Sequence, residues 1–362
     1  FRFEENGIKI VIDDCVLDIA SQAAFRINTE NNRLFITNSI ISNIGTMASP
    51  ENGRAFDDRG NDMDTLFVEN CTLYNLTFRV LRDGGGRINY AHFNHNTIVN
   101  IGFGAIDLGE VLNAYVANNL IMNGDFLGVH PATGDFVLQM AEWTGSETPS
   151  ITIKNNNIFT DPALIAAFPD SVDEPVSFDS LSNFYITQGG FESTNIEEQL
   201  TFIDGPESPI SQVTTYYQDP GSAEGFLDTV GHAAFDFSYP TTAQSYIGGT
   251  GGQPIGALNW FGLTVGVNDD ISTLPKTFEL YQNYPNPFNP STKISYNIPA
   301  HTFVTLKVFD ALGKEIAVLV NKEQPVGLYE INFDASKLSS GVYFYRIETG
   351  SFVKTNKMLL MK

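Results

Sequence analysis

Apolar positions in the first 160 residues fall into short alternating runs that come in pairs. Six segments align with one another, at 11–17, 35–41, 67–73, 93–99, 116–121 and 151–159. Each holds a short alternating stretch, a polar residue that is usually Asn, and a second short apolar stretch. A further Asn follows in four of them, at Asn43, Asn75, Asn100 and Asn123. Period-two alternation predicts strands, and no segment carries the 3.6-residue period of a long amphipathic helix. The segments recur at roughly 22 to 37 residues, an interval that suits one coil of a stacked solenoid with unequal corner loops.

Asn is depleted from strands because its side chain competes for backbone hydrogen bonds, so its recurrence at one register needs a cause. Stacking supplies one. At a tight bend Asn tolerates left-handed backbone, and its amide can bond to the amide one coil above. The alignment predicts a column of Asn38, Asn70, Asn96 and Asn118 headed by Asp14. The next column is then Cys15, Ser39, Cys71, Thr97 and Asn119. Coils lie about 4.8 Å apart, so Cys15 and Cys71, two coils removed, should be separated by about 9.6 Å. That exceeds the ~7 Å reach of a disulfide. Both cysteines are expected to be reduced, small and buried.

These patterns predict an all-β chain: a right-handed parallel β-helix, a pectate-lyase-like solenoid, over 1–160. Beyond it the strand-Asn-strand signal fades and Pro, Asp, Ser and Gly become frequent. Residues 161–263 are expected to cap the stack with extended segments and long loops, as solenoid ends require. A polar linker follows at 264–276. From 277 to 362, strands recur about every ten residues between Pro, Gly, Asn and Asp, which predicts an Ig-like β-sandwich of about seven strands. The first residue is Phe1, and the coils are expected to be N-terminally incomplete.

Charge sharpens the boundary. Residues 1–275 hold ten Lys/Arg against thirty-five Asp/Glu, a formal −25, whereas residues 276–362 hold ten against seven, a formal +3. The acidic part should repel nucleic acid and anionic headgroups. No apolar run approaches the ~18 residues that a membrane helix needs.

Four blocks near the end are specific. They contain Pro285, Asn286, Pro287, Phe288, Asn289 and Pro290, then Gly313, then Gly341 and Tyr343, then Lys357. In this order and placement, over about 278–362, they closely resemble the type A C-terminal sorting domain of type IX secretion substrates. The resemblance implies recognition by the type IX machinery, passage through the outer membrane, removal of the domain and attachment to surface lipopolysaccharide. It places the protein outside the cell or on its outer surface. Pro254 to Trp260, with the glycines before them, are similar to the ends of secreted β-helix proteins of the Bacteroidetes and related bacteria.

Candidate chemistry is sparse. Arg79, Arg82, Asp83, Arg87, His92 and His95 surround Gly84, Gly85 and Gly86. In a polysaccharide lyase a base removes the proton beside a uronate whose charge an Arg or calcium offsets, roles that Arg79, Arg82 and His95 suit. Asp57, Asp58, Asn61, Asp62 and Asp64 form a dense oxygen-donor cluster around Gly60, a candidate calcium site without the full EF-hand spacing. Trp143, Tyr216, Tyr217 and Trp260 are candidate sugar-stacking aromatics, or core of the cap. The residue set of a polygalacturonase is absent, as are a serine-hydrolase elbow, zinc spacing and a phosphate loop. The leading expectation is a non-catalytic surface or matrix protein whose stacked face binds glycan or a protein partner. The alternative is a polysaccharide lyase or related carbohydrate-active enzyme with its site near 54–64 and 79–95. An open coil end would invite self-assembly through strand pairing.

Overall fold

The computed structural model describes the chain except for 83, 129–135, 170–171, 189–193, 219–234, 264–277, 299–301, 325–326, 351 and 362. The expected linker lies outside the described residues. Two compact units divide the chain, residues 1–266 and 267–362. Strands dominate both.

In the first unit the aligned segments are successive strand pairs. The leading strands are Lys9–Asp13, Asn32–Thr37, Met63–Glu69, Arg87–Asn94, Ile106–Ala117 and Ser150–Lys154, and they lie side by side in one parallel sheet. The following strands, from Val16–Ala20 to Asn157–Phe159, form a second parallel sheet. Each strand pairs with the equivalent strand of the next repeat, an arrangement compatible with a β-helix. Ile12, Ile36, Val68, Phe93, Val116 and Ile153 line up across the first sheet. Leu17, Ile41, Leu73, Ile98, Ile121 and Ile158 do so across the second. Both rows point into one apolar core. Burying each such side chain contributes about 1.5–3 kcal/mol.

Short strands at Phe25–Ile27, Phe56–Asp57 and Leu81–Arg82 extend the first sheet past a corner, because Ile106–Ala117 is long enough to pair with both rows. Phe25, Phe56, Leu81 and Ile106 face the core there.

The bend between the two sheets differs by one residue from the expected column. Left-handed backbone occurs at Asp14, Asn38, Asn70, His95, Asn118 and Asn155. In the fourth repeat His95, not Asn96, holds that position, since Thr97 pairs with Thr72 and so sets Asn96 beside Cys71. His tolerates this backbone nearly as Asn does. Asn96 belongs to the adjacent row with Cys15, Ser39, Cys71, Asn119 and Asn156, buried from Ser39 onward, where Thr97 was expected. Asn96 donates through Nδ2 to Asn119 Oδ1 at 2.9 Å, and Asn119 to Asn156 Oδ1 at 3.0 Å. The same amides also donate inward to the carbonyls of Val68 and Phe93. At the other end of the second strand, Asn75 donates to Asn43, Asn100 to Asn75 and Asn123 to Asn100, at 3.0 to 3.1 Å.

Both cysteines are free. Cys71 is buried, and its burial pushes the thiol pKa up to about 12. Cys15, expected to be buried, is exposed, because its strands are the outermost of both sheets and no strand among the described residues covers them.

Described segments of 161–263 pack against the two sheets. Extended segments were expected, yet this region includes the helices Pro162–Ile165, Ser180–Gln188 and Ile210–Gln218. Ile186 of the second helix joins the main core. Asp179 caps that helix through Ser182 N and also accepts from Met140 N of the strand Phe136–Ala141. A helix satisfies its own backbone groups, and so suits a stack end that offers no further strand to pair with.

The second unit has seven strands among the described residues. Glu279–Leu280, Ser291–Ile298 and Gly327–Asp334 form one antiparallel sheet. Thr302–Asp310, Glu315–Gln324, Gly341–Glu348 and Val353–Leu360 form the other. Alternate residues, among them Ile294, Tyr296, Leu306, Val308, Tyr345 and Met358, meet in its core, which fits an Ig-like domain.

Candidate functional site

Two outer faces of the first unit are covered. Tyr74, Val99 and Leu120 of the second sheet pack beneath Leu200, Phe202, Phe237, Tyr239 and Ile255. Phe78, Phe103 and Phe126 pack beneath Leu164 and Val213. The outward side of the first sheet is different: Phe67, Glu69, Tyr90, His92 and Tyr115 are half-buried there, while Phe35, Thr65, Asn94 and Asn113 are buried.

Strand alternation places three rows on that side. Phe35, Phe67, His92 and Tyr115 form the middle row. The His92 ring lies 4.1 Å from Phe67 and 5.2 Å from Tyr115, nearly parallel to both. Lys9 and Lys154 cover the two ends, over Phe35 and Tyr115. Ring faces are therefore used within the row. Glu69 is the polar hub beside it: its Oε1 lies 3.2 Å from His92 Nε2 and accepts from Asn94 Nδ2 at 2.6 Å. His92 Nδ1 lies 3.0 Å from the Tyr90 hydroxyl. Burial acts to raise the Glu69 pKa, but the hydrogen bonds from His92 and Asn94 and the charge of His92 outweigh it and hold the carboxyl below its usual range. No sequence signal singled out Glu69 or Tyr90, since each is one polar residue in an alternating strand.

The residues expected to act together do not converge. Arg79 is 1 % exposed and bonds to the Phe103 carbonyl at 2.7 Å and to Asp107. His95 is buried at the bend with Nδ1 3.3 Å from the Gly256 carbonyl, and its burial lowers its pKa. His92 lies on the outward side of the first sheet, its side chain 12 % exposed. Arg82 lies 3.5 Å from Asp57 Oδ1, and Arg87 pairs with Glu110 at 3.1 Å and lies over Trp143. Asp83 is outside the described residues.

The acidic cluster is also divided. Asp57 is buried and pairs with Arg54 at 2.7 Å. Asp58 Oδ1 accepts from Gly60 N and Gly84 N, Asn61 donates to Ile27 O, and Asp62 accepts from Arg87 N. Asp64 lies 3.9 Å from Arg33. Among the described residues no group of three or more His, Cys, Asp or Glu is arranged to hold a metal. Tyr216 and Tyr217 pack into the cap, and Trp260 donates to Thr72 Oγ1 at 2.8 Å while packing against Phe237.

In the second unit the Pro-rich block is fastened to the last strand. Phe288 is buried in the core, its N–H donates to Leu359 O at 2.9 Å, and its carbonyl accepts from Met361 N at 3.0 Å. Asn286 Oδ1 accepts from Leu359 N at 2.9 Å, and the Pro285 and Pro290 carbonyls accept from Thr292 and Ala335. Pro287 and Asn289 are exposed, as is Lys357, whose carbonyl accepts from Gln282. Gly313 takes left-handed backbone in the turn that Asp310 closes, and Gly341 opens a strand on which Tyr343 donates to Ser339 O. Asn283 N donates to the Tyr345 hydroxyl, a link the sequence reading missed because neither residue lies in the Pro-rich block.

Residues 282–361 match the family of secretion system C-terminal sorting domains. No curated protein matches the chain, and no solved structure does. The sorting domain marks a protein exported by the type IX system to the cell surface or extracellular space, and it implies interaction with that machinery. No helix among the described residues is long and apolar enough to cross a membrane.

Proposed function

We propose that the first unit is a right-handed parallel β-helix that acts, once exported, as a non-catalytic surface or matrix protein, binding glycan on the outward face of its first sheet. The observation that carries this reading is the contrast between faces: two pack beneath segments of 161–261, whereas on the third Glu69, Tyr90 and His92 stay half-buried, with Asn94 and Asn113 buried beside them. Because ring faces in the middle row are occupied by one another, a sugar would be held by carboxylate, imidazole and amide hydrogen bonds rather than by stacking. Two of the three side chains suited to lyase chemistry, Arg79 and His95, are buried and engaged, which favours binding without catalysis, and the third, Arg82, lies 3.5 Å from Asp57.

The test is retention of the full chain on immobilised polysaccharides, with release of unsaturated products monitored in parallel. Retention without product, lost on combining Glu69→Gln with His92→Ala, is the expected result. Release of unsaturated ends from pectin or alginate would replace this reading with the lyase.

A further inference from the structure

Basic residues are scarce in the acidic part, and half of them gather at one place. Of the ten Lys/Arg before residue 276, five are Arg2, Arg26, Arg54, Arg59 and Arg82. Strand pairing puts Arg2 beside Arg26, Arg26 beside Asp57, and Asp57 beside Arg82, in one outward row on the short strands of the first sheet. Like charges set side by side on neighbouring strands repel, so this row is costly unless something negative meets it.

Asp57 meets only part of it. Arg54, Arg59 and Arg82 all turn toward this one buried carboxylate, at 2.7, 3.9 and 3.5 Å, so only Arg54 makes a close pair. Arg26 makes no ion pair among the described residues, and the Nε atoms of Arg26 and Arg54 are buried without an acceptor. Asp58, the next residue, has its Oδ1 on the Gly60 and Gly84 amides. The cation that is closed off is Arg54, 5 % exposed, whereas the Arg82 and Arg59 side chains are 35 % and 49 % exposed. The four guanidinium groups of Arg26, Arg54, Arg59 and Arg82 are therefore set against two buried carboxylates, Asp57 and Asp58.

We propose that Arg26, Arg59 and Arg82, over the buried Arg54–Asp57 pair, form an oxyanion-binding site for the carboxylate or sulfate group of an acidic saccharide. Guanidinium forks match the paired oxygens of both groups. The anion preference stands on the arginines alone, while the saccharide setting rests on the glycan reading above. The body's overall negative charge makes the site selective: a long polyanion is repelled elsewhere and admitted only here.

Calorimetry on the full chain at constant ionic strength tests this, with sodium glucuronate, sodium sulfate and neutral glucose as probes. Glucuronate and sulfate should bind and glucose should not. Arg82→Gln and Arg26→Gln should each weaken binding about tenfold, whereas Arg33→Gln, on the same sheet, should not. Asp57→Asn should tighten it, and if that variant fails to fold, the Arg26 and Arg82 variants still decide the matter. Binding of sulfate without glucuronate would keep the anion site and overturn the uronate in favour of a sulfated sugar. Failure of both anions to bind, or binding indifferent to Arg26 and Arg82, would overturn the proposal. Retention on neutral polysaccharide with no anion binding would defeat this site and leave the glycan reading standing.

Discussion

In the first unit Ile12, Ile36, Val68, Phe93, Val116 and Ile153 occupy one position six times over. In the second, Phe288, Tyr296 and Tyr345 each fill a place with no counterpart elsewhere in the unit. Parallel stacking makes every residue answer to its equivalent one coil away, so the same chemistry must be acceptable along a whole row. Antiparallel packing makes each position answer to a different neighbour. A buried polar residue can therefore recur in the first unit as a series, as with Asn96, Asn119 and Asn156, where each amide satisfies the next. In the second it is a single arrangement, as with Asn283 and the Tyr345 hydroxyl.

Substitutions can break this contrast at either side. The largest effect is expected from Phe288→Ala, which should destabilise the second unit by about 3–5 kcal/mol. Both tryptophans, Trp143 and Trp260, lie in the first unit. Tryptophan fluorescence during urea unfolding should thus stay unchanged while the circular-dichroism transition of the second unit moves to lower urea. Asn119→Ala should cost the first unit about 3 kcal/mol, since it strips partners from Asn96, Asn156 and the Phe93 carbonyl, each worth roughly 1–3 kcal/mol when orphaned. Here the fluorescence midpoint should shift instead.

His95 sharpens the comparison by pH. Its folded pKa lies below the ordinary 6.5, chiefly through burial. As pH falls below 6.5 the unfolded chain takes up a proton that the buried ring resists, so stability should drop with acidification. His95→Asn keeps a residue suited to left-handed backbone and should flatten the first unit's melting temperature between pH 7 and 5.5. A curve of unchanged slope would show that His95 titrates freely. The smallest effect concerns Ile19, which is 59 % exposed and holds a φ of 60° at the place where later coils have Asn43 and Asn75. Ile19→Asn should stabilise the first unit by about 1 kcal/mol, seen as a higher melting temperature.

The same contrast explains what was legible in advance. The strand pairs and the row containing Asn43, Asn75, Asn100 and Asn123 follow from repetition, which stacking imposes on the sequence itself. The one-residue error at Asn96 arose where Asn94, His95 and Asn96 run together, and only the pairing of Thr97 with Thr72 resolves which of them bends. The sorting blocks were legible because their residues are irreplaceable one by one. The Glu69 hub and the Arg26 row were not, because each assembles from residues about one coil apart, singly unremarkable in an alternating strand. Arg79, His95 and Asp57 drew notice as chemistry and instead hold corners together, since a charge near a bend is as useful to the backbone as to a ligand.

Stacking in register is tested most directly by mapping the two thiols. Native alkylation followed by peptide mass analysis should label Cys15, leave Cys71 untouched until the chain is unfolded, and find no disulfide under oxidising conditions. A Cys15–Cys71 disulfide would contradict the account, because it would bring together two residues that the stack holds two coils apart.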